Sequence, residues 1–335
     1  MKGRVEAARR RLGRAADPTA RTQALDRRLV ELEQRVCTAR LGRLVAACFR
    51  DRIPNHGHRI RTAPPSVSPQ AKASILLHLY ERREIALLRR HLRPELDVIE
   101  VGASLGVTGA VVAARLRAGR QLVAVEANPE LVPELRRNLR SAARHDRAAG
   151  VHAALAYGPA LHTSGVDTSG VDGSALDGSG VDGSGADRVA FVAGADSVLG
   201  SVATDPAAGE PVEAVTLGAL RETWGLGRYA LICDIEGGEW ELIDQPAGVF
   251  SGCEQLFIEL HDREGEEGTQ RLLRRLVDVH GFVPVERLGP VHYLALRGTQ
   301  AGHEPSLGPR IAGLGALAAL GLAALGAWRH RRRPR

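Results

Sequence analysis

The chain has 335 residues, 45 Lys/Arg against 39 Asp/Glu and a formal charge of +6. That length is ample for the core of an α/β fold. Residues 1–52 hold 14 basic and 6 acidic residues and 329–335 add five Arg. The body between them is therefore acidic, with 26 basic against 33 acidic side chains. Only Lys2 and Lys72 are lysines, so arginine supplies nearly all the positive charge, a bias that reflects codon usage rather than a nucleic-acid partner. The cysteines Cys37, Cys48, Cys233 and Cys253 form no close pair, which excludes a zinc or CxxC redox motif and suggests a reducing compartment. The opening MKGRVEAARRRLGR has no apolar h-region, so no secretory signal is expected.

Residues 20–50 carry apolar side chains at Leu25, Leu29, Leu32 and Val36, then Leu41, Leu44, Val45 and Phe49. This spacing predicts amphipathic helix broken near Pro54, packed on its own domain or on a twin in a homodimer, or docked by its arginines on an anionic membrane. RTAPPSVSPQ, 61–70, reads as a linker. Beyond it a helix over 71–91 leads to the strand LDVIEVG (96–102), a helix over 106–118, the strand QLVAVE (121–126) and a helix over Pro129–Arg140. Further strands are expected at Val151–Tyr157, Val189–Val192, Tyr229–Cys233 and Gln255–Leu260. FVPVERLG and VHYLALRG follow as an antiparallel hairpin. Strands and helices alternating at this spacing predict a parallel, doubly wound sheet.

Residues 164–187, SGVDT-SGVDG-SALDG-SGVDG-SGAD, offer too few apolar side chains to offset backbone ordering, and predict a flexible insert. The tail IAGLGALAALGLAALGAW, 311–328, has no charge and is followed by a basic run at 329–335. As a helix it would extend about 27 Å, slightly short of a bilayer core of about 30 Å. Its six Leu/Ile would favour insertion by only about 3 kcal/mol. Gly315, Ala319, Ala323 and Ala327 form a small-residue stripe suited to helix packing. The expectation is a transmembrane or membrane-associated helix after a linker at 301–310, holding the main domain, 71–300, at the cytoplasmic face.

VIEVGASLG, 98–106, ends a strand and opens a helix. Gly102 permits a sharp turn, Gly106 a close approach, and the helix start favours anionic groups. Ser104 replaces the middle glycine of a dinucleotide fingerprint, which a pyrophosphate needs more than a cofactor without phosphates does. Glu126 ends the next strand, where an acid grips a ribose diol. From these residues alone a nucleoside cofactor is expected, and NAD stays open.

The segments YERREIALLRRHLRPELDVIEVGASLGVTGAVVAARL, VAVEANPELVPELRRNL and ICDIEGGEWELI…LFIELH resemble, in that order, the FkbM family of S-adenosylmethionine-dependent methyltransferases, over about 76–298 without the insert. The resemblance implies the class I methyltransferase (Rossmann-like) fold, with a seven-stranded, mostly parallel sheet whose last strand is antiparallel. It implies S-adenosylmethionine as cofactor, Glu100 and Gly102 near its methionine part and Glu126 on its ribose. The implied activity is O-methylation of a hydroxyl, on a saccharide, a glycolipid or a secondary metabolite. Ser104 stands where the family usually has Asn, and Ile232 where it frequently has Lys.

Asp234 and Glu236 lie just past one strand, and Glu259 and His261 past another. Ligands bind beyond the carboxyl ends of such strands, so the four groups are expected to converge there if the strands are neighbours. His261 or Asp234 would take the hydroxyl proton, with Glu259 orienting the imidazole. The less favoured alternative is a divalent metal on Asp234, Glu236 and Glu259. Glu239 and Glu241 are expected only to start a helix, and Trp240 to be core. A catalytically silent cofactor-binding scaffold is the competing reading, and Ile232 its best argument.

Overall fold

The computed structural model describes residues 28–63, 67–143, 147–157, 188–193, 200–202 and 209–299. The insert at 164–187 and the tail at 311–328 lie outside them. The central strands form where the sequence is continuously apolar. β3 (Asp97–Val101), β4 (Leu122–Glu126) and β10 (Tyr229–Cys233) are buried at all five positions, as strands covered on both faces must be. Alternate side chains serve different cores. Ile99, Val101, Val123, Leu231 and Cys233 join one cluster, whereas Val98, Leu122, Ala124, Ala230 and Ile232 join the other.

With β5 (Ala148–His152), β11 (Cys253–Glu259), β12 (Phe282–Leu288) and β13 (Val291–Leu296) these strands form a seven-stranded sheet in the order β12-β13-β11-β10-β3-β4-β5. β5, β4, β3, β10 and β11 are mutually parallel. β13 is inserted antiparallel between β11 and β12. This is the order of the class I methyltransferase fold, as expected. One face is covered by α4 (Arg82–His91), α5 (Val107–Ala113) and α6 (Val132–Ala142), through Leu87, Leu88, Val112, Leu135 and Leu139. The other is covered by α7 (Leu217–Trp224), α8 (Glu239–Ile243) and α9 (Gly265–Asp278), through Leu220, Leu242, Leu272 and Leu276. Connections from β3 run outward to β4 and β5, while β10 and β11 lie on the other side of β3. The sheet therefore has a topological switch point between β3 and β10, where ligands bind in open α/β sheets.

The helix expected over 71–91 is two helices. Ser68 caps α3 (Pro69–Leu76) by accepting from Ala71 N at 3.1 Å. The chain then turns with His78 and Glu81 both in the left-handed region before α4 begins. The segment ahead of it is more than helix and linker. Residues 28–36 (α1) and Ala39–Phe49 (α2) are helical. β1 (Arg52–Asn55) and β2 (His58–Arg61) then pair around His56-Gly57, both at positive φ, the conformation a two-residue hairpin turn demands. Val45, Ile53 and Ile60 share a core with Leu105, Val107 and Ala110 of the β3–α5 region. A second, four-stranded sheet, also unexpected, runs β6-β9-β7-β8; its strands are β6 (Ala154–Leu155), β9 (Glu210–Val215), β7 (Arg188–Ala193) and β8 (Gly200–Val202).

The expected transmembrane helix is corrected: among the described residues no helix is long and apolar enough to cross a membrane. The stretch that suggested one, 311–328, is rich in Ala and Gly, whose transfer into hydrocarbon gives little driving force.

Candidate active site

Two βα turns meet at the switch point. After β3, Gly102 has φ +81, and a Cβ there would lie 1.6 Å from the carbonyl oxygen of Asp234. Only glycine lets the two turns approach this closely. At Gly106 an added Cβ would meet Leu135 Cδ1 at 2.7 Å, so this glycine lets α6 pack closely against the turn. Ser104 and Glu236, one in each turn, hold left-handed φ values of 49° and 51° without being glycine. Strain of this kind costs about 1–3 kcal/mol per residue and collects at functional sites.

Glu126 closes the β4 side. Its carboxylate accepts from Ser104 N at 2.6 Å and from Asn128 N at 2.7 Å. Each oxygen keeps a second lone pair for a diol hydroxyl. Burial raises its pKa, against the backbone hydrogen bonds that favour the charged form. Tyr80 Oη lies 3.1 Å from Ser104 Oγ and ties the β3 turn to the segment before α4.

Beneath this rim lies a group of acids. Glu100 is buried on β3, and its Oε2 has no hydrogen-bond partner. Burial, with the charge of Glu81 next, pushes its pKa well up. Glu84, also buried, has Oε2 3.0 Å from Thr108 Oγ1, and its Oε1 is unpartnered. Burial and then the charge of Glu81 raise it as well. Glu81 contacts the Thr108 hydroxyl and amide, and burial lifts its pKa to about 7. The single hydroxyl proton of Thr108 cannot serve both carboxylates, so one of them carries a proton of its own. Sequence reasoning missed Glu81 and Glu84, because the helix expected over 71–91 carries no local sign that two of its acids turn inward.

On the β10 side the structure brings His261 together with Asp234 and Glu236. Its Nε2 lies 3.7 Å from Asp234 Oδ1 and 3.3 Å from Glu236 Oε2. β10 and β11 are indeed neighbours, with Cys233 opposite Ile258, and that pairing produces the convergence. Glu259, half-buried at the end of β11, perturbs Asp234 electrostatically. Burial raises the pKa of both Asp234 and Glu259. The imidazole, however, is oriented by Glu239, not Glu259. His261 Nδ1 lies 3.2 Å from Glu239 Oε1, which also accepts from Ile235 N at 2.8 Å. Glu239 does start α8, as expected, but its side chain is fully buried inside the site. Burial alone would depress the His261 pKa. The bond to Glu239 and the charges of Glu239, Asp234 and Glu236 outweigh it and lift the ring to about 9. These contacts favour the imidazolium form. Trp240 is core, with Nε1 donating to the His261 carbonyl at 2.8 Å. Ile232 is buried in the sheet and paired in register with Glu100, so the β10 neighbour of that carboxyl is apolar.

No protein-family model and no curated protein matches the chain in sequence. Among solved structures it is similar to a putative O-methyltransferase from Klebsiella pneumoniae, at 13% identity over 84% of this chain and 99% of that one, TM-score 0.32. It is also similar to precorrin-6y C5,15-methyltransferase from Geobacter metallireducens, at 12% identity over 70% and 92%, TM-score 0.30. A human methyltransferase 10 domain containing protein is 11% identical over 77% and 94%, TM-score 0.30. Likeness at this level carries no argument about activity; the strand order alone carries the fold.

Proposed function

We propose that the chain is an S-adenosylmethionine-dependent methyltransferase acting on a hydroxyl oxygen of a saccharide, glycolipid or secondary metabolite. The observation that carries this reading is the meeting, at the switch point, of the Glu126 carboxylate with a group of acids that includes the buried Glu100 and the half-buried Asp234. The cofactor is a nucleoside bearing a sulfonium and an ammonium, and when bound it supplies an electrophilic methyl group. These residues fit such a ligand. Glu126 would take the ribose diol, held in aim by the Ser104 and Asn128 amides. Glu100, Gly102 and Ser104 would line the methionine part, where the unpartnered oxygens of Glu84 and Glu100 suit positive charge.

Alignment of the acceptor is the larger part of catalysis in such an in-line displacement, and that task falls to Asp234, Glu236 and His261. With no ion bound, the His261 cation holds Asp234 and Glu236 in place, and a carboxylate of this group receives the hydroxyl proton. The test is calorimetry of S-adenosylmethionine binding. Glu126→Ala is expected to weaken affinity about ten- to a hundredfold through loss of two charge-assisted hydrogen bonds. An unaltered affinity, or no binding by the unmodified protein, overturns the reading.

A further inference from the structure

We infer that Asp234, Glu239 and His261 form a binding site for a single divalent cation. One donor atom from each lies within 4.8 Å of the other two. An ion with bonds near 2.1 Å holds its donors roughly 3–3.5 Å apart, so occupation requires the three to close by about an ångström. His261 Nε2 faces Asp234 Oδ1, and Glu236 Oε2 stands 3.3 Å from the same nitrogen as a fourth donor.

An independent observation points to a ligand. Glu239 is fully buried, yet its Oε2 has no hydrogen-bond partner; neither has the buried Oδ1 of Asp234. A buried carboxylate oxygen without a donor is unfavourable, and a cation satisfies both at once. The charge points the same way. Asp234, Glu236, Glu239 and Glu259 gather around one imidazole, with Arg83 acting on Glu259 from the edge. Two carboxylates and one imidazole suit a metal of the manganese, iron or zinc group better than calcium, which prefers oxygen alone. The donor set departs from the sequence expectation: Glu239 replaces Glu259, and His261 becomes a ligand once the ion displaces the proton on Nε2. Toward the reaction, the ion would bind the acceptor oxygen and ease loss of its proton; that role rests on the proposed function, whereas binding of the ion does not.

The experiment uses the full chain, stripped with a chelator and free of S-adenosylmethionine, titrated with Mn²⁺ while free Mn²⁺ is read by electron paramagnetic resonance. One bound equivalent is expected. His261→Gln and Glu239→Gln should each weaken it about tenfold or more, while Glu222→Gln, on α7, leaves it unchanged. Because Glu239 is buried, circular dichroism checks its variant, and the half-exposed His261 supplies the second test. No Mn²⁺ bound at millimolar concentration, or binding undiminished in His261→Gln, overturns the site. Calorimetry of S-adenosylmethionine with the same stripped protein separates the two failures, since cofactor binding without Mn²⁺ binding refutes the ion alone.

Discussion

Glu84 sits with one carboxyl oxygen on the Thr108 hydroxyl and the other on nothing. Burial and the neighbouring charge of Glu81 raise its pKa, so folding requires it to hold a proton that the unfolded chain releases above its ordinary value of 4.5. Its contribution therefore turns against the fold as pH rises. Glu84→Gln keeps the shape and removes the obligation. The variant is expected to unfold at a higher urea concentration than the parent at pH 8, and to lose that advantage near pH 4.5. An equal advantage at both pH values would mean that Glu84 is not protonated when folded. Legibility at this scale was uneven. Glu126, Asp234 and His261 stood at strand ends where the sequence itself shows an acid or imidazole following an apolar run. Glu239 looked like a helix-start acid, because nothing local tells that α8 turns its first side chain onto Ile235 N and His261.

Between elements, the close contact of the β3 and β10 turns is a property of backbone, and glycine is its signature. Gly102→Ala would drive a Cβ into the Asp234 carbonyl as well as strain φ +81. Gly119 has nearly the same angle, φ +85, with nothing within 4 Å of an added Cβ. Gly119→Ala is expected to cost about 1–2 kcal/mol, the strain alone, and Gly102→Ala roughly 3 kcal/mol or more, measured by urea denaturation. Equal costs would show that the two turns part without penalty. The strands of the main sheet were legible because continuous apolar runs such as DVIEV and YALIC admit little else once both faces are covered. The break between α3 and α4 was not: no proline or glycine marks it, and tertiary contacts of Glu81 with Thr108 fix the left-handed turn. The β1–β2 hairpin carried a weak signal in His56-Gly57, hidden by the proline-rich stretch beside it.

For the molecule as a whole, the acid-rich rim and the overall charge predict opposite responses to pH. Glu81 is held at about 7 against an ordinary 4.5, by burial. His261 is held at about 9 against 6.5, by the acids around it despite burial. Both bind protons more tightly when folded. Their contributions are therefore complete below the unfolded values and drain away as pH rises, Glu81 over 4.5 to 7 and His261 over 6.5 to 9. Glu286 acts in the other sense. Burial opposes its charge, but His91 and Arg90 depress its pKa, so its contribution exists above 4.5 and is lost on acidification. Burial also holds His56 at about 3 and His292 at about 4 against 6.5, so acidification below 6.5 costs stability; stability should peak at about pH 6.5 and decline toward pH 9. General charge repulsion predicts the reverse, because a chain with pI near 9.6 approaches neutrality as pH rises and repels itself less. Urea midpoints from pH 7 to 9 in the presence of a chelator separate the two. The rim requires a falling midpoint, and His261→Gln should flatten its portion above pH 7. A midpoint that climbs toward pH 9 would mean that net charge, rather than the buried acids at the switch point, governs how this protein holds its fold.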